Sequence, residues 1–242
     1  MLKRMMMVGV VVALNASTMA AMASNAKYDG QAGRTTLVQF GGLSNNKIAD
    51  GLKQALQIGT VNTVNITGRL NGYFGNQAIK ILMPKQLQPV EQVMRTFGQG
   101  KQVDDFVLSM NRAAERAAPS AGRIFVNAIR NMSFNDARGI LTGGNTAATQ
   151  YFRQKTTNEL TTAFGPIVAQ SMNQVGVTRR YNSLVGKYQN LPFARNFNVD
   201  LNGYVVGKAM DGLFHVLGDE ERKIRQNPAA QVTNLLKQVF KH

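Results

Sequence analysis

Cysteine is absent from all 242 residues, which excludes disulfides and a lipidated N-terminal cysteine. Tryptophan is absent too, so aromatic platforms for saccharides are poor. Histidine occurs only at His215, inside a helical stretch, and at His242, the last residue. With neither H-E-x-x-H nor G-x-S-x-G present, zinc hydrolysis and Ser–His–Asp chemistry have no support. No catalytic residue, metal ligand or cofactor is therefore assigned. No apolar run reaches the ~20 residues that span a bilayer, and no long period-2 alternation suggests a sheet. Acidic residues are also few, 13 against 28 Lys and Arg, for a formal net charge of +15.

What is present begins with an export pattern. Lys3 and Arg4 precede the apolar run MMMVGVVVAL (Met5 to Leu14), and small residues then end in Ala21-Met22-Ala23. A basic start, a short apolar core and an A-x-A motif predict a signal peptide over residues 1–23 and a periplasmic location. Cleavage after Ala23, or after Ala26 as a fallback, leaves no transmembrane anchor. Residues 24–42 read as a loose leader, and residues 43–242 as one helical domain. A chain of that size can bury enough apolar surface to fold without disulfide staples. Losing Lys3 and Arg4 lowers the charge from +15 to +13, spread evenly along the chain rather than gathered in a tail. An even basic field attracts polyanions, and for an exported chain these are lipid head groups, lipopolysaccharide phosphates or acidic glycans. Nucleic acid is not an expected partner in that compartment.

The domain reads as all-α, about ten short helices with clear punctuation. Ser44 suits an N-cap ahead of Ile48, Leu52, Ala55 and Leu56. The glycines of TGRLNGYFGN (Thr67–Asn76) break that pattern. Pro89 opens a helix with Val90, Val93, Met94 and Phe97 on one face. Val103, Phe106, Val107, Met110, Ala114 and Ala117 form the next stripe, ended by Pro119. Ser133 caps a short helix, and Asn145 or Thr146 opens another. Pro166 starts a helix stopped by Gly176, Thr178 caps the next, Asp200 caps one running to about Leu217, and DEERKIRQ (Asp219–Gln226) follows. Asn227-Pro228 opens the last.

Two constellations could hold an anion. Arg138, Gly143, Gly144, Asn145, Thr146 and Arg153 surround a glycine-broken helix N-terminus, where free N–H groups and a partial positive charge favour phosphate or carboxylate. Helix capping is the simpler use of this loop. In TRRYNSLVGKYQ, Tyr181 and Tyr188 share a stripe beside Arg180 and Lys187, a mixture suited to an amphiphile's head group as well as to core packing. In DDFVLSMNRAAER, Asp105 and Arg112 share a face, and Asn111 and Glu115 are four apart. A surface ladder and an internal polar network are both open there.

Five ordered blocks carry a family resemblance: LSNNKIADGLKQAL, FGQGKQVDDFVLSMNRAAERAAP, MSFNDARGILTGGNTAATQYFRQKT, MNQVGVTRRYNSLVGKY and IRQNPAA. Together they resemble the bacterial family known as domain of unknown function 4197, over roughly Leu43 to Phe240. The resemblance implies an exported, all-helical protein and transfers no catalytic residue. The expectation is a non-catalytic periplasmic protein that binds an anionic or amphiphilic envelope component through a basic surface. The alternatives are an assembly partner of another envelope protein, and a peptidoglycan-cleaving enzyme using Glu115 or Glu159 as a helix-borne acid.

Overall fold

The computed structural model describes residues 45–174 and 199–226, all belonging to one unit, Phe40–His242. These residues are helical, with no strand among them. The α-helices are α1 (Asn45–Gly68), α2 (Gln88–Thr96), α3 (Gly100–Ala117), α4 (Ala121–Arg130), α5 (Phe134–Thr142), α6 (Ala147–Gln174) and α7 (Leu201–Gln226). Single 3-10 turns at Lys85–Leu87 and Ala118–Ser120 lead into α2 and α4. Helices α6 and α7 pack along one another, α3 lies against both, and α1 covers α7 and α4.

Among the described residues the helices are fewer and longer than expected, because two breaks read from local punctuation are not breaks. Pro166 lies inside α6. An interior proline costs about 3 kcal/mol. However, Phe152, Leu160, Phe164, Val168 and Met172 are all fully buried, at fourfold spacing or its multiples along that helix. Burying Val168 and Met172 alone contributes about 1.5–3 kcal/mol each, enough to keep the helix running past Pro166. Likewise α7 does not stop near Leu217 but continues through DEERKIRQ, because Glu220, Glu221 and Ile224 are buried against neighbouring helices.

Other expectations hold. Ser133 and Asp136 form a reciprocal capping box at α5, and these hydrogen bonds from Ser133 hold the Asp136 carboxyl below the usual carboxylate range. The α3 stripe is buried as expected, with Val107 half-buried. Phe97 is a correction: it is 73% exposed, because it lies just past the end of α2 rather than on its buried face. Ser44, the leader, the signal segment and the Thr178 and Asn227-Pro228 helices lie outside the described residues. At the centre, Phe125 meets Phe152 edge-on at 5.0 Å between centroids and Phe214 at 6.3 Å.

Candidate functional site

The α5–α6 junction poses the sharpest question: what satisfies the N–H groups at the start of α6? The answer comes from α7, more than seventy residues away. Glu221 Oε1 accepts from the Ala148 N–H at 3.0 Å, and Oε2 accepts from the Thr149 N–H at 2.9 Å and its hydroxyl at 2.8 Å. Arg225 donates to Glu221 at 2.9 Å and, through the same Nη2, to the Ile140 carbonyl near the end of α5 at 2.8 Å. An anion therefore meets the positive end of α6 and a cation the negative end of α5, both supplied by one turn of α7. The Thr146 hydroxyl instead accepts from the Gln150 side chain, so it caps no backbone N–H.

Around that junction Arg138, Gly143, Gly144, Asn145 and Thr146 are all exposed. Arg153 has left the group. Its guanidinium lies over the Phe214 ring at 4.5 Å and reaches Asp211 on α7 at 3.7 Å. Arg180, Tyr181, Lys187 and Tyr188 lie outside the described residues.

The polar residues of α3 divide between the two uses open to them. Asp105 pairs with Lys101 on the surface at 2.9 Å rather than with Arg112. Asn111 and Glu115 are buried and bind the irregular segment between α1 and α2. Glu115 Oε1 accepts from the N–H groups of Tyr73 and Phe74, both at 3.1 Å, while Oε2 accepts from Arg112. Arg112 also donates to the Asn71 side chain at 2.7 Å, and Asn71 takes a positive φ of 62°. Asn111 accepts from the Ile81 N–H and donates to its carbonyl, both at 2.8 Å, serving the segment as a neighbouring strand would. Gly72 is required in this turn, since a Cβ there would lie within 3.0 Å of three backbone carbonyls.

Held this way, the segment forms one wall of a groove whose other wall is α7. The groove, about half open to solvent, has a volume of about 620 Å³; Lys80, Lys85 and Leu82 line one side, and Tyr204, Lys208, Asp211 and His215 the other. The four α7 residues are spaced by three or four, so they share one helical face. The Tyr204 hydroxyl donates to the Leu82 carbonyl at 3.0 Å, and partial burial raises the pKa of that phenol. Lys80 Nζ sits 4.2 Å from the centroid of the Phe74 ring. Asp211 stands 3.7 Å from both Lys208 and Arg153, which brings the displaced Arg153 to the edge of this groove. Among the described residues no cluster of three His, Cys, Asp or Glu could hold a metal.

Comparison with known families decides the lineage. The pattern of the family described as protein of unknown function (DUF4197) matches residues 42–241. The chain belongs to that family. No curated protein and no solved structure matches it. In this DUF4197 chain the groove cations Lys80, Lys85 and Lys208 were not among the residues expected from sequence. A signal was present in KILMPK (Lys80–Lys85), a short apolar run bracketed by lysines. Its partner stripe on α7 lies more than a hundred residues further on and is visible only in the fold.

The close approach of the two walls has a measurable consequence. A Cβ on Gly212 would lie 2.5 Å from Tyr73 Cε1 and 3.1 Å from Ile79 Cβ. The Tyr73 ring cannot yield easily, being fully buried with its hydroxyl donating to the Ala209 carbonyl at 2.6 Å. Overpacking costs about 1–3 kcal/mol, against up to about 1 kcal/mol gained by removing glycine from a helix. Gly212→Ala is expected to be destabilising by up to about 3 kcal/mol on that balance, read as a lower urea midpoint with unchanged slope.

Proposed function

We propose that this DUF4197 protein is an exported, non-catalytic periplasmic protein that binds an anionic or amphiphilic envelope component through its basic surface. The observation that carries the reading is the groove between the Lys80–Lys85 segment and α7. It gathers three lysines against one aspartate, in a chain whose net charge is +15. An exported protein with such a field meets phosphorylated lipids and lipopolysaccharide first. The glycan-cleaving alternative gains little from its two candidate acids. Glu115 is buried, and its two oxygens are taken by two backbone N–H groups and an arginine, so it presents no free face to a glycan. Glu159 is exposed on α6 and does not line the groove.

The test is vesicle binding by the chain from Ser24 to His242. Sedimentation with phosphatidylglycerol-containing vesicles should exceed that with phosphatidylcholine vesicles at low salt. The difference should shrink steeply as salt rises, since exposed charges are screened over about 10 Å at 0.1 M. Equal binding to both kinds of vesicle at low salt contradicts the proposal.

A further inference from the structure

The groove combines two kinds of surface that a simple anion site would not need together. Leu82 is 60% exposed at its lip, beside half-buried Met83, exposed Ala78 and buried Ile79. Lys80, Lys85 and Lys208 stand around this apolar strip. The hydrogen bond from Tyr204 to the Leu82 carbonyl holds strip and cations in one place. Resting on the envelope-binding reading, we infer that the groove takes a single-chain amphiphile with an anionic head, its acyl chain along Leu82 and Met83 and its head among the three lysines.

Magnitudes favour this occupant over a free anion or a glycan. An exposed ion pair strengthens binding by about fivefold at most, so solvated lysines hold a bare phosphate weakly. Each methylene removed from water strengthens binding about fourfold, so a few buried carbons of chain outweigh the head. A glycan or a nucleic-acid base seeks aromatic faces, and among the described residues Tyr204 is the sole Phe, Tyr or Trp lining the groove, half-buried with its hydroxyl engaged. The chain supplies the affinity; the lysines select the charge.

The experiment is a calorimetric titration of the mature chain, with native mass spectrometry for stoichiometry, using four probes below their micelle concentrations. These are lauroyl lysophosphatidylglycerol, laurate, lauroyl lysophosphatidylcholine and glycerol 3-phosphate. The expected result is one-to-one binding of the two anionic chains, with lysophosphatidylcholine at least about tenfold weaker and glycerol 3-phosphate without saturable binding. The tighter of the two anionic probes distinguishes a phosphate from a carboxylate head. Replacing Lys80, Lys85 and Lys208 together by Gln should abolish the preference for anionic over zwitterionic chain. Leu82→Gln should weaken every chain-bearing probe alike. Should the triple variant melt early, Lys85→Gln alone, an exposed change, should still reduce the preference. Unchanged preference in these lysine variants overturns the inference, as does glycerol 3-phosphate binding as tightly as the lipid. If vesicles bind but lysophosphatidylglycerol is not held one-to-one, the groove assignment fails while the basic-surface reading stands. If neither binds, both fall.

Discussion

Glu221→Ala should lower stability by about 3–5 kcal/mol, the range for removing one partner of a buried ion pair. The residue is 7% exposed, and its carboxylate accepts from two backbone N–H groups, the Thr149 hydroxyl and Arg225. Alanine would leave the first turn of α6 unsatisfied and the guanidinium, whose side chain is only 13% exposed, with one carbonyl. At about 2–4 °C per kcal/mol for a chain of this size, the melting temperature should fall by roughly 6–20 °C. Asn145→Ala and Thr146→Ala should each stay within about 0.5 kcal/mol, because neither side chain meets a backbone donor of α6. Thermal melts of the three variants decide the matter. If Thr146→Ala cost as much as a true cap, about 0.5–2 kcal/mol, and Glu221→Ala cost less, the assignment of this cap to Glu221 would be wrong.

Glu115→Ala is expected to be as severe, about 3–5 kcal/mol for the same reason. It would strand two backbone donors, at Tyr73 and Phe74, and leave Arg112 without its carboxylate. This loss would also reach the groove, because the freed segment carries Lys80, Leu82 and Lys85 into one wall. Fully buried Tyr73 reports on it: burial first, then the nearby Glu115 charge, raises its phenol well above the ordinary tyrosine range. In the Ala variant, a spectrophotometric titration should show one tyrosine ionising at lower pH than in the wild type. Glu115→Ala with wild-type stability and an unchanged tyrosine titration would mean that the segment is held by its apolar contacts alone.

These two carboxylates show where sequence stops being informative. The apolar stripe of α3 and the Ser133 box are set by residues three or four apart, so they can be read directly from the chain. The extent of α6 and α7 is not local. Gly165-Pro166 and Gly218-Asp219 look like boundaries until burial of Val168, Met172 and Ile224 outweighs them. At the candidate sites, the Gly143-Gly144 loop is legible as the approach to a helix N-terminus. That the N-terminus is filled by a glutamate from the far end of the chain is not. Arg153 was grouped with that loop by proximity in sequence, yet one turn of helix after another carries it to Asp211 and the groove edge. The groove joins residues of the α1–α2 connection to a face of α7, and only packing makes them neighbours.

The central claim, that a basic groove holds an anionic envelope component, is tested most directly by what the protein carries out of the cell envelope. Protein released from the envelope and exchanged into volatile buffer without detergent can be weighed intact by native mass spectrometry. This can be done for the wild type, the Lys80, Lys85 and Lys208 to Gln variant, and Arg138→Ala. The expected result is one anionic amphiphile on the wild type and on Arg138→Ala, absent from the triple variant. A bare wild-type chain, or an adduct kept by the triple variant and lost from Arg138→Ala, would contradict it and return the site to the Gly143-Gly144 loop.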